Sequence, residues 1–374
     1  MIIKCRDFLD MEIEIKSQQK SIVMFGAGAI GTTTTLAILK DYSLLNYISC
    51  YIDNDSRLWG RKIHTIYEKY EIKSPDHLKN CDPNKMVILL NISRYTEVIE
   101  QLEQMAYTKE MTCYIMPMMC IHNFEQNGKQ GVIKKYSQPV IPKVIHYMWL
   151  GGKALPDNLQ KCVDSWKRYC PDYEIRCWNE SNYDIEKNIY MKQAYENGAY
   201  GFVPDYARLD ILYTYGGIYM DTDVELKRNL DDLLYQDAFC GVEKWQVLNF
   251  GGCSGSVAHH KAIKTFLETR EKIAFVNDDG TLNRHTCACI DTKVAHKNGY
   301  KVNGKNQEIL GMMVYTSDYF HPYDYMSGKC EMTDDTFSVH HFNGGWLTER
   351  ERLANKKVSE QYDIMYQTLI SQKK

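Results

Sequence analysis

The stretch that most constrains this chain is Pro204 to Asp223, PDYARLDILYTYGGIYMDTD. A proline suited to a first helical turn, a breaker-free run to Tyr215, the pair Gly216-Gly217 and a short apolar segment predict helix, tight exit and strand in immediate succession. A helix feeding straight into a strand is the crossover of a parallel sheet, and residues just past such a strand lie at the sheet's carboxyl edge, where α/β folds bind ligands. Here those residues are Asp221, Thr222 and Asp223. Paired carboxylates at that place suit either a polar turn or a divalent cation that holds a diphosphate. At 100° per residue, Asp205, Arg208, Leu209, Ile211, Leu212 and Tyr215 share one face of the helix, with Asp210 and Thr214 opposite. Asp205 and Arg208 read either as an i,i+3 ion pair favoured by the helix dipole or as two groups facing a cleft, where they would bind sugar hydroxyls and ribose.

Strand and helix signals alternate twice along the 374 residues, enough for two cores. SIVMFGAGAIG predicts a buried strand entering a glycine turn, TTTTLAILKDY a helix, YISCYIDND and KMVILLNI further strands, and YTEVIEQLEQMA a helix. That order implies a small Rossmann-like parallel-sheet domain over 1–122. The polar, lysine-rich segment 123–139 reads as a linker, 140–348 as a second α/β domain, and 349–374 as a charged helical tail on the outside.

Gly26, Gly28 and Gly31 form GxGxxG between a predicted strand and a helix, with Asp53 ending the next strand, the context that a nucleotide-binding turn requires. The same glycines also serve tight strand–helix packing. No hydride-transfer apparatus accompanies them, so a nucleotide at Gly26, Gly28, Gly31 and Asp53 stays an open reading. The second Asp-x-Asp, Asp53 and Asp55, starts a loop and reads as turn chemistry.

A net charge of −3 and a pI near 6.4 offer no basic field for nucleic acid. The 13 cysteines are odd in number and lack a CxxC pair, so they read as reduced thiols of a cytosolic protein, HTCAC at His285–Cys289 being the one cluster with metal-like density. No run reaches the roughly 20 apolar residues of a membrane span, so any membrane association is expected to be peripheral, at the inner face.

IPKVIHYMWLGG, CVDSWKRYCPDYEIRCWNE, VPDYARLDILYTYGGIYMDTDVELKRNLDDLL and FSVHHFNGGW occur in that order between Ile141 and Trp346. Together they resemble the DxD-containing sugar transferases of glycosyltransferase family 32, and are similar to the catalytic core of the clostridial glucosylating toxins. The first domain resembles, more loosely, Rossmann-like modules fused to bacterial polysaccharide-synthesis enzymes. The resemblance implies a GT-A-like domain that moves a hexose, with retention, from a nucleoside-diphosphate sugar, UDP-linked by expectation. The acceptor would be a glycan or lipid-linked molecule in surface (capsule) polysaccharide synthesis. It implies Mn²⁺ or Mg²⁺ held directly by Asp223, with Asp221 contacting ribose and metal, and with His340 completing the site. His341 is the neighbouring alternative, and strand alternation lets only one of the two point inward. By the same resemblance Trp149 stacks the base, Asp205 and Arg208 hold the transferred sugar, and Trp346 closes over the diphosphate. The family's serine before that tryptophan is here Gly345. WQVLNFGGCSGSVAHHKAI is expected to line the acceptor side. The rivals are an NAD-dependent nucleotide-sugar epimerase or dehydrogenase, for which no catalytic acid is found, and a degenerate transferase acting as a binding module.

Overall fold

The computed structural model describes residues 1–5, 8–65, 67–124, 130–344 and 347–371. The first sheet takes β1 (Ile2–Lys4), β2 (Ser21–Phe25), β3 (Ile48–Ile52), β4 (Lys62–His64), β5 (Lys69–Lys73), β6 (Met86–Leu90) and β7 (Thr112–Ile115), in the order β1-β7-β6-β2-β3-β5-β4. All neighbours are parallel except β4 and β5. β6 is buried at every position, as a parallel strand covered on both faces must be. Chain order runs outward from β2 in opposite directions, so the Gly26 turn sits at the topological switch point.

The expected helix after that turn is broken at Thr33 into Ala29–Thr32 and Thr34–Asp41. Strand and helix close tightly here. A Cβ on Gly31 would collide with the Gly26 carbonyl, whereas one on Gly28 would meet nothing within 4 Å. The helix Met116–Phe124 extends into the segment read as linker, and beyond it the backbone is fastened to the second domain by Lys135 and Tyr136 N–H to Tyr235 O and Val140 N–H to Leu234 O.

The second sheet comprises β8 (Val144–Met148), β9 (Glu174–Trp178), β10 (Gly217–Tyr219), β12 (Ala238–Val242), β13 (Leu248–Asn249), β14 (Ser254–Ser256), β15 (Gln307–Ile309) and β16 (Met312–Tyr315); β11 (Val224–Leu226) lies outside it. The order is β15-β16-β12-β14-β10-β8-β9, with β13 against β12. β8 is parallel to β9 and β10, and β12 to β16, while β14 runs against both β10 and β12. Five strands therefore end at one edge, delivering Trp149, Asp221 and Glu243 to it. A short ribbon of β17 (Tyr323–Asp324) and β18 (Lys329–Cys330) precedes β19 (Ser338–His340), which pairs with β11.

The two sheets share their apolar interior. Trp245, at the tip of the β12–β13 hairpin, and Met326 cluster with Phe25, Ile52 and Leu90 of the first sheet and with Val358 and Tyr362 of the final helix, Glu349–Ser371. That helix, expected on the outside, buries Val358 and Tyr362 and pairs Lys357 with Glu100 at 3.0 Å.

Candidate functional site

The chain leaves the main sheet after β10, turns through Asp221–Asp223, and enters β11, which pairs with β19. The register sets Val224 opposite His340, which brings the preceding Asp223 beside that imidazole. His340 Nε2 lies 3.2 Å from Asp223 Oδ1, and Asp223 Oδ2 accepts the Asn343 N–H at 2.9 Å. Alternation sends the next histidine the other way, and His341 Nε2 contacts Glu225 at 3.0 Å.

Among the described residues, Asp221, Asp223 and His340 form the one group whose ligand atoms, one from each, all lie within 4.8 Å of one another. Two carboxylates and one imidazole suit a hard or borderline divalent ion. The electrostatics agree. Burial pushes the Asp221 carboxyl up, only partly offset by Arg208 and His340, so a cation would relieve a desolvated acid. For Asp223 burial is outweighed by His340 and the Asn343 N–H, which hold it at about 2. Burial opposes the His340 imidazolium, but Asp223 and Asp221 raise it overall.

Behind the carboxylates, the helix Pro204–Tyr215 supplies Asp205 and Arg208, 5% and 4% exposed. The Arg208 guanidinium lies 3.4 Å from Asp205 and 3.2 Å from Asp221, and it sits over the Tyr219 ring. Asp205 also accepts from Tyr190 OH at 3.3 Å. On the opposite face Thr214 is exposed, whereas Asp210 is buried and bound by Tyr183 OH at 2.6 Å and Lys187 at 2.5 Å. The cause is a crossover covered by the sheet on one side and by the helices Ile189–Glu196 and Lys261–Arg270 on the other. Tyr215, grouped with the inner face, is 48% exposed.

Trp149 follows β8, half-buried, with its indole N–H donated to Lys153 O at 2.6 Å. It differs from Trp166, which is fully buried. Trp346 and Gly345 lie outside the described residues.

Three features escaped the sequence reading. Gly251 lies against the Asp221 carboxylate, and its carbonyl accepts the Asp221 N–H at 2.8 Å, because β14 beyond it pairs with β10. Within the stretch expected on the acceptor side, Gly251 thus packs on Asp221 and Arg208. Cys287, in the segment singled out for metal, instead approaches Arg208 at 3.4 Å. His321 stands 5.5 Å from His340 between ring centroids, with Gly252 pressed against it. The asparagine and glycines of NFGG, following a strand, were the available signal.

In the first domain Asp53 accepts the Ala27 N–H at 2.8 Å and the Asp55 N–H at 2.9 Å, so its carboxylate fastens the glycine turn itself. Asp55 caps the next turn through Arg57 N–H at 3.0 Å. A cleft of about 340 Å³ lies over Gly28, lined by Thr32 and Thr65 and by His285 and Lys293 of the second domain. Gly26 and Gly31 are buried beneath it.

The site is thus a buried Asp205–Arg208 pair behind Asp221, Asp223 and His340 at the carboxyl edge of an α/β sheet. Residues 156–240 match the family described as glycosyltransferase sugar-binding region containing DXD motif. Inositol phosphoceramide mannosyltransferase 2 of Schizosaccharomyces pombe is 30% identical over 148 residues, 37% of this chain and 40% of the relative. Inositol phosphoceramide mannosyltransferase 3 of the same yeast is 36% identical over 107 residues, 26% and 29% of the two chains. This chain thus spans 40% or less of the length of these relatives. Among solved structures, the PaToxG glycosyltransferase aligns over 55% of this chain and 77% of its own, at 17% identity and a TM-score of 0.35. Among the described residues no helix is long and apolar enough to cross a membrane.

Proposed function

We propose that this chain is a metal-dependent, retaining glycosyltransferase that moves a hexose from a nucleoside-diphosphate sugar to a glycan or lipid-linked acceptor. The observation that carries the reading is the convergence of Asp221, Asp223 and His340 on one point, with Arg208 bridging Asp221 and Asp205 behind it. The names of the two yeast relatives add hexosyl transfer to a lipid as a precedent.

Asp223, Asp221 and His340 would hold Mn²⁺ or Mg²⁺, which supplies Lewis-acid stabilisation of the charge that grows on the leaving diphosphate. Trp149 stacks the nucleotide base. Asp205, held by Tyr190 and Arg208, accepts from hydroxyls of the transferred sugar, while Arg208 orients Asp221 and faces the developing charge. In the front-face route the bond from the anomeric carbon to the phosphate oxygen breaks, the acceptor oxygen bonds to that carbon, and the acceptor's proton passes to the leaving phosphate. The donor is UDP-linked in this reading, with GDP-mannose the competitor that the mannosyltransferase names raise. The first domain takes no part in the chemistry and serves docking, regulation or dimerisation. Any membrane association is peripheral.

The test is a panel of UDP- and GDP-sugars with Mn²⁺, followed for hydrolysis and transfer. Turnover of one donor, lost with EDTA, is expected. No turnover of any donor with any divalent ion, or full activity in EDTA, overturns the reading. Oxidation of a sugar with added NAD would favour the dehydrogenase instead.

A further inference from the structure

Glu243 follows β12 at the carboxyl edge that also carries Asp221, and the hairpin returns the chain to Asn249 beside it. The side-chain amide of Asn249 has only one possible orientation. Its Oδ1 accepts two backbone N–H groups, Gly251 at 2.7 Å and Gly252 at 3.2 Å, so its Nδ2 must face the other way. There it donates to Glu243 Oε1 at 2.8 Å. A hydrogen bond to a carboxylate in a desolvated place is among the stronger kinds, and losing one partner leaves the other unsatisfied.

The turn held in this way is wedged on all sides. The Gly251 carbonyl takes the Asp221 N–H, its Cα adjoins the Asp221 carboxylate and Arg208, the Gly252 carbonyl takes the Ser338 hydroxyl at 3.1 Å, and its Cα adjoins the His321 ring. An error in the turn therefore passes to Asp221 and Arg208 directly. We propose that Glu243 and Asn249 are positioning residues of the transfer reaction, locking the Gly251–Gly252 turn so that Asp221 and Arg208 meet the donor in register. This inference rests on the transferase reading above. Glu243 touches no ligand in it and acts only through Asn249.

Because the pair is defined by hydrogen-bond polarity, it can be inverted. N249D sets a carboxylate against Glu243. The double variant E243Q/N249D restores a donor facing an acceptor, and the second oxygen of the new carboxylate can still take both glycine N–H groups. The measurements are kcat and donor KM for Mn²⁺-dependent donor hydrolysis, with melting temperature alongside. E243A and N249D are expected to lose about tenfold or more in kcat with a smaller change in KM, the pattern of misplaced reacting groups. E243Q should recover most of the E243A loss, since its carbonyl still accepts from Asn249. E243Q/N249D should recover most of the N249D loss. A kcat within about twofold of wild type in both E243A and N249D, or a double variant no better than N249D while still folded, overturns the proposal. Wild-type protein that turns over no nucleotide sugar instead overturns the transferase reading, and the inference with it.

Discussion

Adding one methyl group at Gly251 tests the site geometry directly. A Cβ there would lie 2.8 Å from Asp221 Cγ and 3.1 Å from an Arg208 terminal nitrogen, and closer still to Asp221 Oδ2. Carbon contacts settle near 3.5–4.0 Å, so Gly251→Ala requires the carboxylate or the turn to move by roughly 1 Å. The turn cannot drift freely, because Asn249 and the Asp221 N–H pin it. Overpacking of this kind costs about 1–3 kcal/mol in stability. A misplacement of about 1 Å at a reacting centre costs on the order of 10²-fold in rate, or about 2.7 kcal/mol. Gly251→Ala should therefore lower kcat for donor hydrolysis about a hundredfold and weaken Mn²⁺ binding measured by calorimetry, with a few degrees off the melting temperature. Gly28→Ala is the matched control, since its backbone is extended and its Cβ would meet nothing within 4 Å; transfer should persist. A Gly251→Ala enzyme within about threefold of wild type would refute the placement of this turn against Asp221.

Asp223→Asn should abolish turnover and weaken Mn²⁺ binding; calorimetry showing intact metal affinity would remove Asp223 from the ligand set. Trp149→Ala should weaken binding of donor and of free nucleotide alike by about 1–3 kcal/mol, the range for base stacking; unchanged nucleotide affinity with a lowered melting temperature would make it a core residue. The His340–Asp223 pair should give metal-free protein a defined pH dependence. Asp223, depressed to about 2, contributes stability above its unfolded value near 3.9 and loses it as pH falls toward 2. His340, raised, contributes fully below about 6.5 and loses its contribution as pH climbs through its folded value. Melting temperature in EDTA should thus decline above neutrality in wild type and stay flatter in His340→Asn; parallel curves would contradict the pairing.

The sheet architecture was legible because hydrophobic runs ending in glycine mark parallel strands, as at Phe25–Gly26 and Met148–Gly151. The carboxylates were legible because a short apolar strand preceded them. Local pattern could not reveal that the chain changes sheets at Asp221–Asp223, since the partner strand β19 lies far along the sequence and only long-range pairing identifies it. Helical periodicity could not show the burial of Asp210 for a related reason. At Asp210 the helix is enclosed on both sides, and the acid is satisfied by Tyr183 and Lys187 from a segment that sequence spacing does not associate with it. NFGG marked a turn but not the Gly251 contact, because a glycine chosen for a neighbour's carboxylate looks like one chosen for a turn.

Trp245 has a consequence for how the molecule comes apart. Chains with two sheets ordinarily have two melting units joined by a tether, each able to open alone. Here the hairpin between Glu243 and Asn249 drives its tryptophan into an interior shared with Phe25, Ile52 and the final helix, so neither sheet can shed its partner without wetting that ring. The two sheets should therefore melt as one cooperative unit. Calorimetry should record one transition rather than two, and protein cut at residue 122 should aggregate through the bared hairpin tip rather than behave as a smaller enzyme.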